Sequence, residues 1–180
     1  MANTFLSTTF RIPGSAATTQ NLLTIENATG SAVTVILRHL MIQMDATAAL
    51  TAVMPQFKCS RFTGAATGGT AMTKSQFDSA VSSNASVTIR GGASADGTAA
   101  AITATPGVAM WQQFGLRLHT AVGMVATTDL DMLPVLVADN VLAPFKLAAN
   151  ESLVVHLIAT ATTSNPSTNH YFVNAVWEEL

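Results

Sequence analysis

The chain has 180 residues, of which 49% are hydrophobic and only 10% charged, with a formal net charge of −2. Ordinary soluble domains carry roughly 25% charged residues, so a surface this poor in charge suits close contacts within an oligomer or larger assembly better than a solvated monomer. The 8 cationic residues stand one by one and make no basic stripe, which argues against a nucleic-acid partner. No apolar run approaches the roughly 18 residues that a membrane helix needs.

The length fits one domain with a core that needs no staples. The single cysteine, Cys59, has no disulfide or C-x-x-C partner and reads as a small buried hydrophobe of a protein folded in a reducing cytosol. The start, MANTFLSTTFR, lacks the basic and apolar regions of a secretory leader. The Asn-x-Ser/Thr patterns at Asn27, Asn84 and Asn150 are therefore read as turn chemistry.

Residues 1–20 are Thr/Ser-rich around Phe5, Phe10 and Ile12 and read as an N-terminal arm that docks on its own domain or on a neighbour; residues 21–180 form the domain proper. Asn21–Glu26 is a strand ending in an Asn/Gly turn. Ala32–Asp45 is a long strand with large apolar residues at both odd and even positions. A strand that is apolar on both sides is covered on both, so Val33, Val35, Ile36, Leu40, Ile42 and Met44 are candidates for a subunit interface. A β-bulge near Arg38-His39 that swaps the faces midway is the alternative.

Gln56–Thr63 alternates and predicts a strand. Thr73-Lys74-Ser75-Gln76 matches a capping box, so the pattern predicts a two-turn helix over 73–80, with Phe77 packed inward. Ala85–Arg90 alternates cleanly, followed by a Gly/Ser/Asp tip at 91–97. Ala109–Thr120 predicts a strand with one wet face. Thr127–Pro144 reads as a long excursion with a short strand at 135–138. The end of the chain predicts two strands, Glu151–Thr160 and His170–Trp177, joined as a hairpin by a polar connector.

About eight strands with irregular connections and at most one short helix predict an all-β, antiparallel, jelly-roll-like β-sandwich. Chemistry is sparse. His39, His119, His156 and His170 are isolated, so no metal site is expected. Asp129-Leu130-Asp131 lacks the rest of a calcium loop. No nucleophile elbow, phosphate loop or dinucleotide fingerprint occurs; no catalytic residue and no cofactor is predicted. Trp111 and Trp177 read as core or interface residues, and Glu178-Glu179 as a solvated chain end.

The segments LLTIENATGSAVTVILRHLMIQMDATAAL, WQQFGLRLHTAVG and TSNPSTNHYFVNAVWEE together resemble small virion structural proteins of tailed bacteriophages, over roughly Leu22 to Glu179. The resemblance is one of style and segment order. It implies a non-enzymatic jelly-roll protein of the particle, in first place a head decoration (cement) protein, commonly a homotrimer on the major capsid protein. Its place would be the virion, with assembly in the bacterial cytoplasm. The alternative is a tail, neck or receptor-facing module that binds through exposed Trp111 or Tyr171.

Overall fold

The computed structural model describes residues 3–15, 19–46, 56–105, 107, 109–114, 128–131, 145–158 and 169–180. The predicted strand at 135–138, the second half of the 109–120 strand with His119, and the polar connector 161–168 lie outside the described residues.

Alternating, β-branched segments become strands and the Gly, Asn and Pro joints become turns. In chain order the strands are β1 (Asn3–Thr8), β2 (Ile12–Pro13), β3 (Gln20–Asn27), β4 (Val35–Ala46), β5 (Gln56–Thr63), β6 (Thr67–Gly68), β7 (Thr70–Ala71), β8 (Ser75–Gln76), β9 (Val87–Gly91), β10 (Ala93–Ala95), β11 (Thr98–Ala99), β12 (Ile102–Thr103), β13 (Ala109–Phe114), β14 (Thr128–Asp131), β15 (Lys146–Leu147), β16 (Glu151–Ile158) and β17 (Asn169–Glu179). A front sheet runs β14-β4-β17-β1-β8, with β15 also on β4 and β2 on β17; a back sheet runs β13-β5-β16-β3-β9-β7.

The pairing shows how the chain is wound. β1 pairs with β17, β3 with β16, β4 with β14 and β15, and β5 with β13, all antiparallel. The two halves of the chain thus lie together as one long double ribbon. Rolling that ribbon brings β17 against β4 and β16 against β5, which is a jelly roll closed into a β-sandwich. The described residues hold more than the expected eight strands: β1, read from sequence as part of an arm, belongs to the ribbon, whereas the expected strand at 85–90 is β9 and lies with the other short strands of β6 to β12 in an insertion between β5 and β13.

Two expectations need correcting. The last two strands are present, but they do not form a hairpin: β16 lies in the back sheet and β17 in the front sheet. Each finds its partners in the N-terminal half, because the roll sends consecutive strands to opposite sheets. The helix at 73–80 is absent as well. Ser75 and Gln76 pair with Leu6 and Phe5 at the sheet edge, and the Phe77 amide donates to the Thr4 carbonyl at 3.1 Å. A helix of two turns is marginal without packing, and here sheet pairing takes its backbone groups. Asp78 then closes a tight turn by accepting from the Ala80 and Val81 amides. Phe77 stays 66% exposed instead of packing inward.

The core lies between the sheets. β17 alternates strictly, burying Tyr171, Val173, Ala175 and Trp177. Phe5 stacks on Trp177 at 5.9 Å, and Phe57 of the back sheet meets Tyr171 edge-on at 5.7 Å. Removing an aromatic from such a site costs about 3–5 kcal/mol. The N-terminal segment is part of this layer: β1 and β2 continue one another along β17, with Thr9 bonded reciprocally to Val173 between them. Phe5 and Ile12 point into the core, whereas Phe10, at the irregular step, is 41% exposed.

β4 resolves the question its composition poses. His39 pairs with Val176 but Leu37 pairs with Trp177, leaving Arg38 as an extra residue in a β-bulge. Val35 and Leu37 face inward before it; Leu40, Ile42 and Met44 face inward after it. The inward set changes from odd to even because of one inserted residue. Deleting Arg38 therefore restores regular alternation and is expected to change stability in urea by no more than about 1 kcal/mol. Deleting Met41 instead forces Leu40, or Ile42 with Met44, to the wrong face and is expected to cost at least about 3 kcal/mol. Equal effects of the two deletions would refute the bulge.

Candidate interaction surface

The six residues singled out as a subunit interface are mostly closed off within one copy. Val35, Leu40, Ile42 and Met44 are at most 4% exposed and belong to the common core, against which the half-buried Val33 also packs. Ile36 is also buried, paired with Lys146 on one side and Glu178 on the other. For Val35, Leu40, Ile42 and Met44 the chain's own back sheet supplies the cover; Ile36, on the outer side by register, stands apart from that core.

The outward sides of the two sheets differ. On the back sheet, Phe62 and Val154 join Ala66, Ile102 and Ala104 in a second hydrophobic cluster. The insertion thus folds over this face and closes it. Gly107 shows how tightly: a Cβ there would come within 2.1 Å of the Arg61 carbonyl oxygen, so only glycine lets the segment lie against β5.

The front sheet turns another kind of surface outward. Alternation on β1, β4 and β17 sets Leu6, Val176 and His39 side by side, next to a row of Thr8, Asn174 and Met41. Leu6, Met41, Phe172 and Val176 are half-buried. Among the described residues, no hydrophobic cluster forms on this side. Several of its polar groups are bonded to one another. Thr8 donates to Asn174 at 2.6 Å, and Asn174 donates to Gln43 at 3.2 Å. Arg38 pairs with Glu178 at 2.5 Å, and Arg11 pairs with Asp45 while lying over the Phe172 ring.

Arg11 belongs to a further cluster at one end of this sheet. Its amide donates to Asp96 at 2.9 Å, and its carbonyl accepts from the Gly97 amide, so the β10–β11 hairpin tip is fastened to the N-terminal segment. His170 lies among these charges; burial first, then Arg11, lowers its pKa, while Asp45 and Asp96 act to raise it.

Glu179 is the residue that sequence reasoning placed most wrongly. It is buried at 4% exposure, accepting from the Asn84 amide at 2.6 Å and from the Trp177 indole at 3.2 Å. Lys74 donates to the Asn84 and Val87 carbonyls; burial lowers its pKa and the Glu179 charge acts to raise it. Alternation continuing through Trp177 to Glu179 was the available signal. Asn84 meanwhile accepts from the Ser86 amide in an Asx turn, the turn chemistry expected of its motif.

Ser60 and His156 form a hydrogen-bonded pair of 2.9 Å on the back sheet. The pair has the atoms of a nucleophile and a base, but His156 Nδ1 has no partner to orient it, and the two residues are 1% and 4% exposed. Such a pair holds two strands together and offers a substrate no approach. Burial, with help from the Lys58 charge, lowers the His156 pKa to about 4. Burial likewise raises the Cys59 thiol well above its usual range, and Tyr171 to about 12. Tyr171 is fully buried and does not stand at a loop tip, which corrects its candidacy as a receptor contact; Trp111 is placed only as a backbone position of β13.

A cleft of about 340 Å³ lies between Pro13, Gln20 and Asn21 on one side and Gly92, Ala99 and Ile102 on the other. Its amide nitrogens are engaged with the chain, Gln20 donating to the Pro13 carbonyl and Asn21 to the Ile102 carbonyl, while Gln20 Oε1 has no hydrogen-bond partner. Among the described residues, no group of three or more His, Cys, Asp or Glu is placed to hold a metal ion.

Fold and surface together define an antiparallel jelly-roll β-sandwich with one outward face closed by its own insertion. No family model, no curated protein and no solved structure matches the chain.

Two outcomes follow from the buried polar groups. Glu179→Ala leaves the Asn84 amide and the Trp177 indole without an acceptor and is expected to cost about 2–3 kcal/mol in urea unfolding; a loss under 0.5 kcal/mol would contradict its role. For His156, the unfolded chain takes up a proton near pH 6.5 that the folded chain refuses until about pH 4. Stability should therefore be complete above pH 6.5 and fall as pH drops toward 4, by about 2 kcal/mol. His156→Gln should flatten that part of the profile.

Proposed function

We propose that this chain is a non-enzymatic structural subunit of a tailed-bacteriophage virion, a head decoration (cement) protein that strengthens the shell by burying surface against further copies of itself and against the major capsid protein. It is made and assembled in the bacterial cytoplasm and resides in the particle. The observation that carries the reading is the front-sheet surface: broad, with Arg38 and Arg11 paired to Glu178 and Asp45, and with Thr8, Asn174 and Gln43 bonded to one another across the strands. Pairing of this kind lowers the cost of taking those groups out of water.

Two further points support it. The jelly roll is an architecture that viral capsid domains share with lectins and cupins, an analogy of fold and no more. The resemblance of its strand segments to phage virion proteins selects among those three. The receptor-facing alternative loses one of its two residues through the burial of Tyr171.

Deleting the gene from the source phage tests the proposal. Heads lacking the protein should still adsorb to cells but lose infectivity faster on heating or osmotic shock, and purified protein added back should bind them and restore resistance. Heads of unchanged resistance, or wild-type particles that contain none of the chain by mass spectrometry, would overturn it.

A further inference from the structure

We infer that the outer face of the front sheet is the seat of a second copy of this chain, the two front sheets packing face to face about a twofold axis. The inference rests on the reading of the chain as an assembly subunit and names the surface and partner it uses. Three features of the face carry it.

The first is its size. β17 has 11 residues, and at about 3.3 Å per residue it runs about 36 Å; three strands about 4.8 Å apart make a strip about 14 Å wide. That is about 500 Å² in plane from β1, β17 and β4 alone. Side-chain relief and the flanking β8 with Phe77 raise it toward the roughly 800 Å² per partner of a standard interface.

The second is the state of its polar groups. Thr8, Asn174 and Gln43 form a hydrogen-bonded ladder across the strands. The charges of Arg38 and Glu178, and of Arg11 and Asp45, are paired within the face. Within the strip of β1, β17 and β4 each copy thus offers two neutral ion pairs, one near each end of the strands, while Asp129 and Asp131 of β14 and Lys146 of β15 hold register positions at its edge. A strip whose Arg11, Asp45, Arg38 and Glu178 charges are paired within it is compatible with itself, as an isologous contact requires.

The third is where the apolar side chains sit. Leu6 and Val176 lie directly across from each other, Met41 is in the next row, and the 57% exposed Leu180 extends β17 through reciprocal bonds with Thr34. The 66% exposed Phe77 flanks the same end, its amide bonded to the Thr4 carbonyl. The back sheet already uses its outer apolar residues to hold the insertion; the front sheet retains its own.

The test is light scattering and sedimentation of the full chain over micromolar concentrations, with three substitutions. Val176→Lys puts a charge in the middle of the face. Thr8→Lys does so from a side chain that is already exposed, so that folding is not at risk. Thr63→Lys is the control, exposed on the back sheet. A species of twice 18.7 kDa is expected, its dissociation constant raised at least tenfold by each front-face lysine and unchanged by Thr63→Lys. A monomer throughout, a trimer, or a dimer indifferent to both front-face lysines overturns the inference. A monomer that still binds particles would overturn the face pairing and leave the virion role standing; a face-dependent dimer missing from particles would do the reverse.

Discussion

The pairing of β17 with β1 on one side and β4 on the other is the constraint on which the rest depends. It joins the two ends of the chain, places Trp177 against Phe5 and Tyr171 against Phe57, and fixes the front sheet as a layer over the back one. Most of its stabilisation comes from the inner row, since each fully buried large apolar side chain contributes about 1.5–3 kcal/mol. The bulge at Arg38 is what keeps this register compatible with β4: if the strand at its present length paired with no residue bulged out, either Val35 and Leu37 or Leu40, Ile42 and Met44 would face water.

From that pairing the remaining features follow in order. Rolling the double ribbon leaves each sheet with an outward side. The long insertion between β5 and β13 closes the back one through Phe62, Val154 and Ile102, and adds β9 to its edge. The end of the sandwich near Asn84 is sealed by the buried Glu179 carboxylate and Lys74. Among the described residues no second hydrophobic cluster covers the front face, where Arg38 and Arg11 are paired with Glu178 and Asp45 and where Thr8, Asn174 and Gln43 are bonded across the strands, a condition suited to contact with another protein surface. The functional proposal follows from this difference between the two sides.

Much of the architecture was legible in the sequence. The alternation of β9 and β17, and the apolar runs of β3, β5 and β16, report burial directly. The misreadings share a physical cause, which is that periodicity reports exposure but not partner. The polar stretch between β16 and β17 looked like a hairpin loop because sequence does not say whether two strands share a sheet. Thr73–Ala80 carried a valid capping pattern, but the free edge of β1 was a better partner for its backbone than two helical turns. The apolar character of β4 on both faces was real, and one bulge accounts for it inside a single copy. Glu179 was misplaced because charge usually means solvent, a rule that fails where an amide and an indole converge on a carboxylate.

The central claim is that this jelly roll is a building block whose front sheet is covered only in an assembly. A cryo-EM map of the source particle tests it most directly. The account predicts density for the sandwich on the head, with the outer face of β1, β17 and β4 buried against another subunit and the insertion side turned away. A map with that face open to solvent, or with no copy of the sandwich in the particle, would contradict it.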